Sequence, residues 1–378
     1  METTTAFDSS VADAQGTTVL RLAPEKFDAA AYAAYARDLE TRCAAFAAAP
    51  SGVLVHRRFR APEVFSWAAA DMRASLELQL GALAASVAYP MDVPNFLEPW
   101  YGIGYVASAF GAEYLWPAGQ APAVEPVFRD LDAALACDPK PIESTPAGKR
   151  ILEMIEFFLD ATGGIVPMSC SDVQSPLNAA TALFPTSTFF MDALDRPEDV
   201  AVLLDRIVDL SVAFFRKQEA LIGGALVRPG HGFASSRHFR GLGASDDNAV
   251  MVSPDTYREL FAPALERFGR ELGGTVFHSC GNWSSKIPTV KTLSGLVEVD
   301  AALTARTDPD PNPPEAFRDG FAGTGVILNA RMVGGASEVL AAYSRLHAPD
   351  LKAVVVTYCD TAEEQRRVYD GIKVISRS

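Results

Sequence analysis

The sequence predicts an α/β fold, a (β/α)8 TIM barrel with a helical N-terminal extension, from three observations. From about residue 146 onward, short apolar runs alternate with amphipathic segments of helix length. The runs are too uniformly apolar to alternate in polarity, which requires burial on both faces, as in a parallel sheet. No Gly-rich dinucleotide fingerprint follows any of them, which removes the main support for a doubly wound nucleotide-binding sheet.

Taken in order, residues 1–16 (METTTAFDSSVADAQG) are polar and acidic and read as a short disordered arm. They have neither the basic nor the apolar region of a secretory signal. Residues 17–378 read as one barrel domain whose extension occupies about 17–125. Within it, the run from Ala29 to Ala49 places Tyr32, Tyr35, Leu39, Cys43 and Phe46 at helical spacing and stops at Pro50-Ser51-Gly52. VLVHRRF is strand-like, and a second helix runs from about Ala69 to Val87. The stretch Tyr89–Pro126 is rich in proline, glycine and aromatics and reads as irregular, buried structure. Beyond it come GGIVPMSC, a long helix after Asp195, ALVRPG, and a helix capped by Ser253 with Pro254 in its first turn. GTVFHSC, GLVEVD, GVILNA and KAVVVTYC complete the strands, and the last helix is TAEEQRRVYDGIKVIS.

Charge and cysteine usage narrow the partners. With 33 basic and 47 acidic residues the formal charge is −14, which disfavours nucleic acid and anionic membrane surfaces. No apolar stretch approaches the ~18–20 residues that span a bilayer. Five scattered cysteines make no disulfide framework, which suits a reducing, cytoplasmic setting. A homo-oligomer is compatible with the sequence.

The C-terminal ends of barrel strands carry active sites. GTVFHSC ends with His278 and Cys280, whose i, i+2 spacing points both to one side. KAVVVTYC ends with Cys359, which faces the pair across the mouth if that strand closes the barrel. One nitrogen and two sulfurs form a Zn²⁺ site with one position open for chemistry. Asp247, with Asp246 as the alternative, supplies a capping oxygen, and Cys170 is an alternative to Cys359. Asp172 and Gln174 follow the GGIVPMSC strand as catalytic and recognition groups. His231 and His238 share an arginine-bearing loop suited to an anionic substrate group, and Asn282 and Trp283 follow the His-x-Cys pair as substrate wall.

FHSCGN, SPDTYRELFAPALERF and DRPEDVAVLLDRIVDLSVAFF resemble the uroporphyrinogen decarboxylase superfamily. Within it they are similar to the zinc-dependent, cobamide-linked methyltransferases that alkylate thiols such as coenzyme M. That resemblance covers roughly residues 90–378 and implies a (β/α)8 barrel, with the branch's His-x-Cys…Cys zinc motif falling on His278, Cys280 and Cys359. It implies a transferase in which zinc makes a thiol nucleophilic for in-line attack on a methyl or alkyl group. The alkyl group is carried by a corrinoid in the resembling enzymes. No Asp-x-His-x-x-Gly text appears here, so a corrinoid would arrive free or on a separate protein. The alternative is a decarboxylase-like lyase acting on a tetrapyrrole or related acid. The decarboxylases' arginine signature is absent, and HRRFRAP, with Arg57, Arg58 and Arg60, is the nearest text.

Overall fold

The computed structural model of the protein describes residues 15–377. The expected acidic arm therefore lies outside the described residues, except for Gln15 and Gly16. Gly16 forms a parallel bridge with Arg60. The first long helix, Ala29–Ala48, is capped by the Asp28 carboxylate, which accepts from Ala31 N at 2.9 Å. It buries the anticipated stripe of Tyr32, Leu39, Cys43 and Phe46. Pro50-Ser51-Gly52 ends it and turns the chain into strand β1 (Gly52–Arg57).

Strands β2 (Tyr114–Leu115) and β3 (Ala123–Val124) form a small antiparallel hairpin in the irregular aromatic stretch. The remaining strands are β4 (Val173–Gln174), β5 (Ala244–Ser245), β6 (Thr275–His278), β7 (Leu296–Ala302), β8 (Ile327–Met332) and β9 (Lys352–Thr357). With β1 they build one parallel seven-stranded sheet in the order β1-β9-β8-β7-β6-β5-β4. Helices such as Pro197–Ile222, Ala336–Leu346 and Ala362–Ile375 pack outside it, giving an α/β, TIM-barrel-like architecture. The expected eight-stranded closed barrel differs in one respect. Among the described residues the sheet stays open between β1 and β4, where isolated parallel bridges join Leu97 to Met168 and Met168 to Leu226. Pro90, Pro94, Pro167 and Pro229 lie along these segments, and a proline has no N–H to give to a ladder. The segment assigned to the N-terminal extension also contributes β1, a strand paired along its full length with β9.

Alternation along the strands separates two packing environments. On β9, Val354, Val356 and the following Tyr358 pack inside the sheet with Leu54, Val93 and Ile327. Ala353, Val355 and Cys359 belong to the larger core between sheet and helices. The helix capped by Ser253 contains a π-helical turn, Tyr257–Phe261, just before Pro263, whose missing N–H breaks the regular ladder. That turn carries Tyr257, whose hydroxyl donates to buried Asp246 Oδ2 at 2.6 Å.

Candidate functional site

On β6, Phe277 turns outward onto Trp283, while His278 and Cys280 face a cavity at the C-terminal ends of the strands. His278 Nε2 lies 3.5 Å from Cys280 Sγ and 3.4 Å from Asp247 Oδ1. Asp247 opens a 3-10 turn after β5. The same Oδ1 accepts from Cys280 N at 2.8 Å, so one carboxylate fixes the loop that presents the thiol. The three ligand atoms all lie within 4.8 Å of one another, and Cys280 is exposed to the cavity.

The other ring nitrogen, Nδ1, is 2.6 Å from Asp300 Oδ2 on β7. An ionised carboxylate only accepts, so Nδ1 carries the hydrogen and Nε2 is left to face the cavity. Asp300 is fully buried and also accepts from Asn329 Nδ2 at 2.6 Å and Arg331 Nε at 2.9 Å. Burial alone would raise the Asp300 pKa, but Arg331 and His278 outweigh it and hold the group well below the usual carboxylate range. Burial would likewise lower the His278 pKa, and Asp300, Asp247 and Cys280 lift it well above its ordinary value instead. Asp247 is held low by His278 and by the Cys280 N–H against its burial. Its neighbour Asp246, buried and hydrogen-bonded to Ser175 and Tyr257, is pushed up to about 6 by desolvation.

These donors fit a metal ion. In a tetrahedral Zn²⁺ site, bonds of about 2.0–2.3 Å give ligand-to-ligand edges of roughly 3.3–3.8 Å. The observed 3.5 and 3.4 Å separations match those edges. Asp300 behind His278 supplies the carboxylate that commonly orients a ligating imidazole.

The cavity measures ≈300 Å³ and also takes in Asp172, Gln174 and His231. Asp172 is buried, its Oδ2 accepting from Trp100 Nε1 at 3.0 Å and its Oδ1 from Gln174 Nε2 at 3.2 Å. Gln174 Oε1 accepts from Asn178 Nδ2 at 3.2 Å, and the same amide reaches Asp247 Oδ2 at 3.3 Å. His231 Nδ1 donates to Glu98 Oε2 at 2.6 Å, and Glu98 Oε1 accepts from Arg58 at 3.3 Å. Arg58, Arg60 and Arg331 complete the polar wall.

Five expected residues, one of them an alternative, lie elsewhere. Cys359 is outside the His278–Cys280 group and does not line the cavity, because it sits at an outward-facing position continuing β9. Burial pushes its thiol up to about 11. Cys170, the alternative to Cys359, is buried in the same outer core. His238 lines a separate cavity with Leu296, Ile327 and Lys352, the first residues of their strands, at the opposite end of the sheet. Trp283 is fully buried among Phe277, Phe317 and Phe321 and donates to Asp300 O at 3.1 Å, so it is core. Asn282 caps the following turn through Ser284 N at 3.1 Å and does not reach the cavity. Sequence reasoning missed Asp300, Arg331, Glu98 and Asn178. The signal for Asp300 was present: two acids at i, i+2 in the otherwise apolar LVEVDAA.

The family model for uroporphyrinogen decarboxylase (URO-D) matches residues 99–227, about a third of the chain. The matched stretch contains Asp172, Gln174 and Asn178 and ends before His231 and the His278 loop. Among solved structures, the chain is similar to a methyltransferase from Methanosarcina mazei, at 16% identity and a TM-score of 0.62, covering 89% of this chain and 98% of that one. No curated protein matches the chain. The chain thus resembles the uroporphyrinogen decarboxylase superfamily and shares its fold with a methyltransferase.

Proposed function

We propose that the protein is a zinc-dependent transferase that moves a methyl or alkyl group to or from a small thiol. The observation that carries this reading is the convergence of His278, Cys280 and Asp247 ligand atoms within 4.8 Å of one another on a cavity wall, with His278 Nε2 3.5 Å from Cys280 Sγ and 3.4 Å from Asp247 Oδ1. The methyltransferase fold of the structural neighbour supports it.

His278, Cys280 and Asp247 would hold the ion. Zn²⁺ bound there supplies Lewis acidity that keeps a thiol ionised near neutral pH. The chain's own residues do the rest. Asp300 fixes the His278 tautomer, and Asp247 pins the Cys280 backbone. The arginines on the wall favour an acceptor that carries an acidic group. A cavity of ≈300 Å³ suits a small molecule and lies at the low end of ligand-pocket sizes, so a corrinoid donor would present its methyl group at the mouth.

A lyase acting on a carboxylic acid is the second reading, favoured by Arg58, Arg60 and Arg331 around one cavity and by the decarboxylase family match. Zinc content separates the two. About one zinc per chain, lost in Cys280→Ser, together with zinc-dependent alkylation of an added thiol, is the expected result. Alkyl transfer that persists in the zinc-free variant, or a wild type that binds no zinc, overturns the transferase reading.

A further inference from the structure

The cavity that holds the metal-type donors is also lined by a second arrangement of titratable groups. His231 Nδ1 donates to Glu98 at 2.6 Å, so in the neutral ring Nε2 is the nitrogen without hydrogen, and it lies 3.6 Å from Asp172 Oδ2. The ring packs on Phe65 at 5.1 Å between centroids, which fixes its plane. Glu98 is itself rigidly placed: Gln79 Oε1 accepts from its backbone N at 2.6 Å, and Gln79 Nε2 donates to its backbone O at 3.0 Å. An imidazole oriented by a buried carboxylate, with its second nitrogen in a substrate-sized cavity, is the arrangement of a general base.

We propose that His231 is the catalytic proton acceptor of this cavity and takes the proton of the acceptor thiol; the inference rests on the metal–thiol reading above. The S–H bond breaks, its electron pair stays on sulfur, and a new N–H bond forms at His231 Nε2. The resulting imidazolium is stabilised by Glu98 on one side and Asp172 on the other. Glu98 is a positioning residue, acting through His231. The charged groups around the ring are Glu98 and Asp172, with Arg58 behind Glu98 and Arg60 on the same Phe65 ring. Arg58 and His231 hold Glu98 ionised, down to about 2, against its burial.

A hydrogen-bonded chain ties this base to the metal-type donors. It runs from Asp172 through Gln174 and Asn178 to Asp247. Two amides in that chain orient both ends without offering a titratable group. The proton therefore stays on the His231 side, and the sulfur faces the donors.

The test counts protons. Zinc-loaded protein is titrated with 3-mercaptopropionate in buffers of differing ionisation enthalpy, and the buffer dependence of the heat gives the protons released. A free thiol with a pKa of about 8.5 is mostly protonated near pH 7, so its binding as thiolate frees about one proton. Wild type is expected to keep that proton and release close to none; His231→Gln is expected to release about one. Glu98→Gln, which removes the carboxylate that orients the ring, is expected to move the release towards that of His231→Gln. Equal release by wild type and His231→Gln, with zinc and thiol both bound, overturns the role of His231 alone. A wild type that binds zinc or thiol not at all overturns the metal–thiol reading and this inference together.

Discussion

His278 Nδ1 lies 2.6 Å from Asp300 Oδ2, and this contact decides which ring nitrogen faces the cavity. Asp300 is fully buried between the imidazole and the Arg331 guanidinium, so its charge is matched on both sides. Asp300→Asn removes the charge and permits the other tautomer. Zinc affinity is expected to fall about 10–100-fold, as it does when such carboxylate partners are lost. Competition with a chromophoric chelator measures it; unchanged affinity would show that His278 is oriented without Asp300.

Cys280 and Cys359 separate cleanly. Cys280 is exposed on the cavity beside His278, whereas Cys359 is buried in the outer core. Cys280→Ser is expected to abolish zinc binding and Cys359→Ser to retain about one zinc per chain. Metal analysis of the two variants side by side checks this. In the metal-free protein an alkylating thiol reagent is expected to modify Cys280 and to spare Cys43, Cys170 and Cys359, which are buried.

How much of this was legible from the chain depends on strand parity. The i, i+2 rule placed His278 and Cys280 together because both belong to one strand and its immediate extension. The same rule, continued from β9, turns Cys359 outward: Val354, Val356 and Tyr358 face in, so residue 359 cannot. Reading a strand's end without its parity left that residue's direction undetermined. Asp172, Gln174, His231 and Asp247 were legible as polar residues in loops after strands, and all four line the cavity. His238, seven residues after His231, shares its loop but not its end of the sheet, since the chain runs back down at Ser236, which pairs antiparallel with Arg228. Glu98 and Asn178 carried no local signal, because their partners, Arg58, His231 and Asp247, are remote in sequence. The parallel α/β class followed from uniformly apolar runs, while the open edge follows from prolines whose cost to pairing depends on register.

Trp283 tests the distinction between core and substrate wall. It fills space between Phe277 and Phe317, at centroid distances of 4.9 and 4.6 Å, and its indole N–H holds the Asp300 carbonyl. Trp283→Ala is expected to cost about 3–5 kcal/mol of folding free energy, the range for large aromatic truncation in a core. Trp283→Phe, which keeps most of the ring volume, is expected to cost less and to leave zinc content unchanged. Denaturant unfolding of both variants measures it; a Trp283→Ala chain as stable as wild type would return the residue to the cavity wall.

Glu98 predicts the acid limb of stability. Its carboxyl is lowered from 4.5 to about 2, with Arg58 and His231 outweighing the burial that opposes ionisation. The folded chain therefore binds fewer protons than the unfolded one between those two values. Stability from this group is fully present above about 4.5 and is lost as the pH falls towards about 2. The contribution is on the order of 3 kcal/mol at neutral pH. Glu98→Gln forfeits it and leaves the Arg58 guanidinium buried without its partner, so the variant is expected to be much less stable than wild type near pH 7. Near pH 3 the gap is expected to narrow, because wild-type Glu98 is by then losing the same stabilisation through protonation. Urea unfolding at both pH values measures the gap. A difference that stays constant with pH would mean that Glu98 contributes by packing and hydrogen bonding to Gln79, and that its charge is not what holds Arg58 and His231 in place.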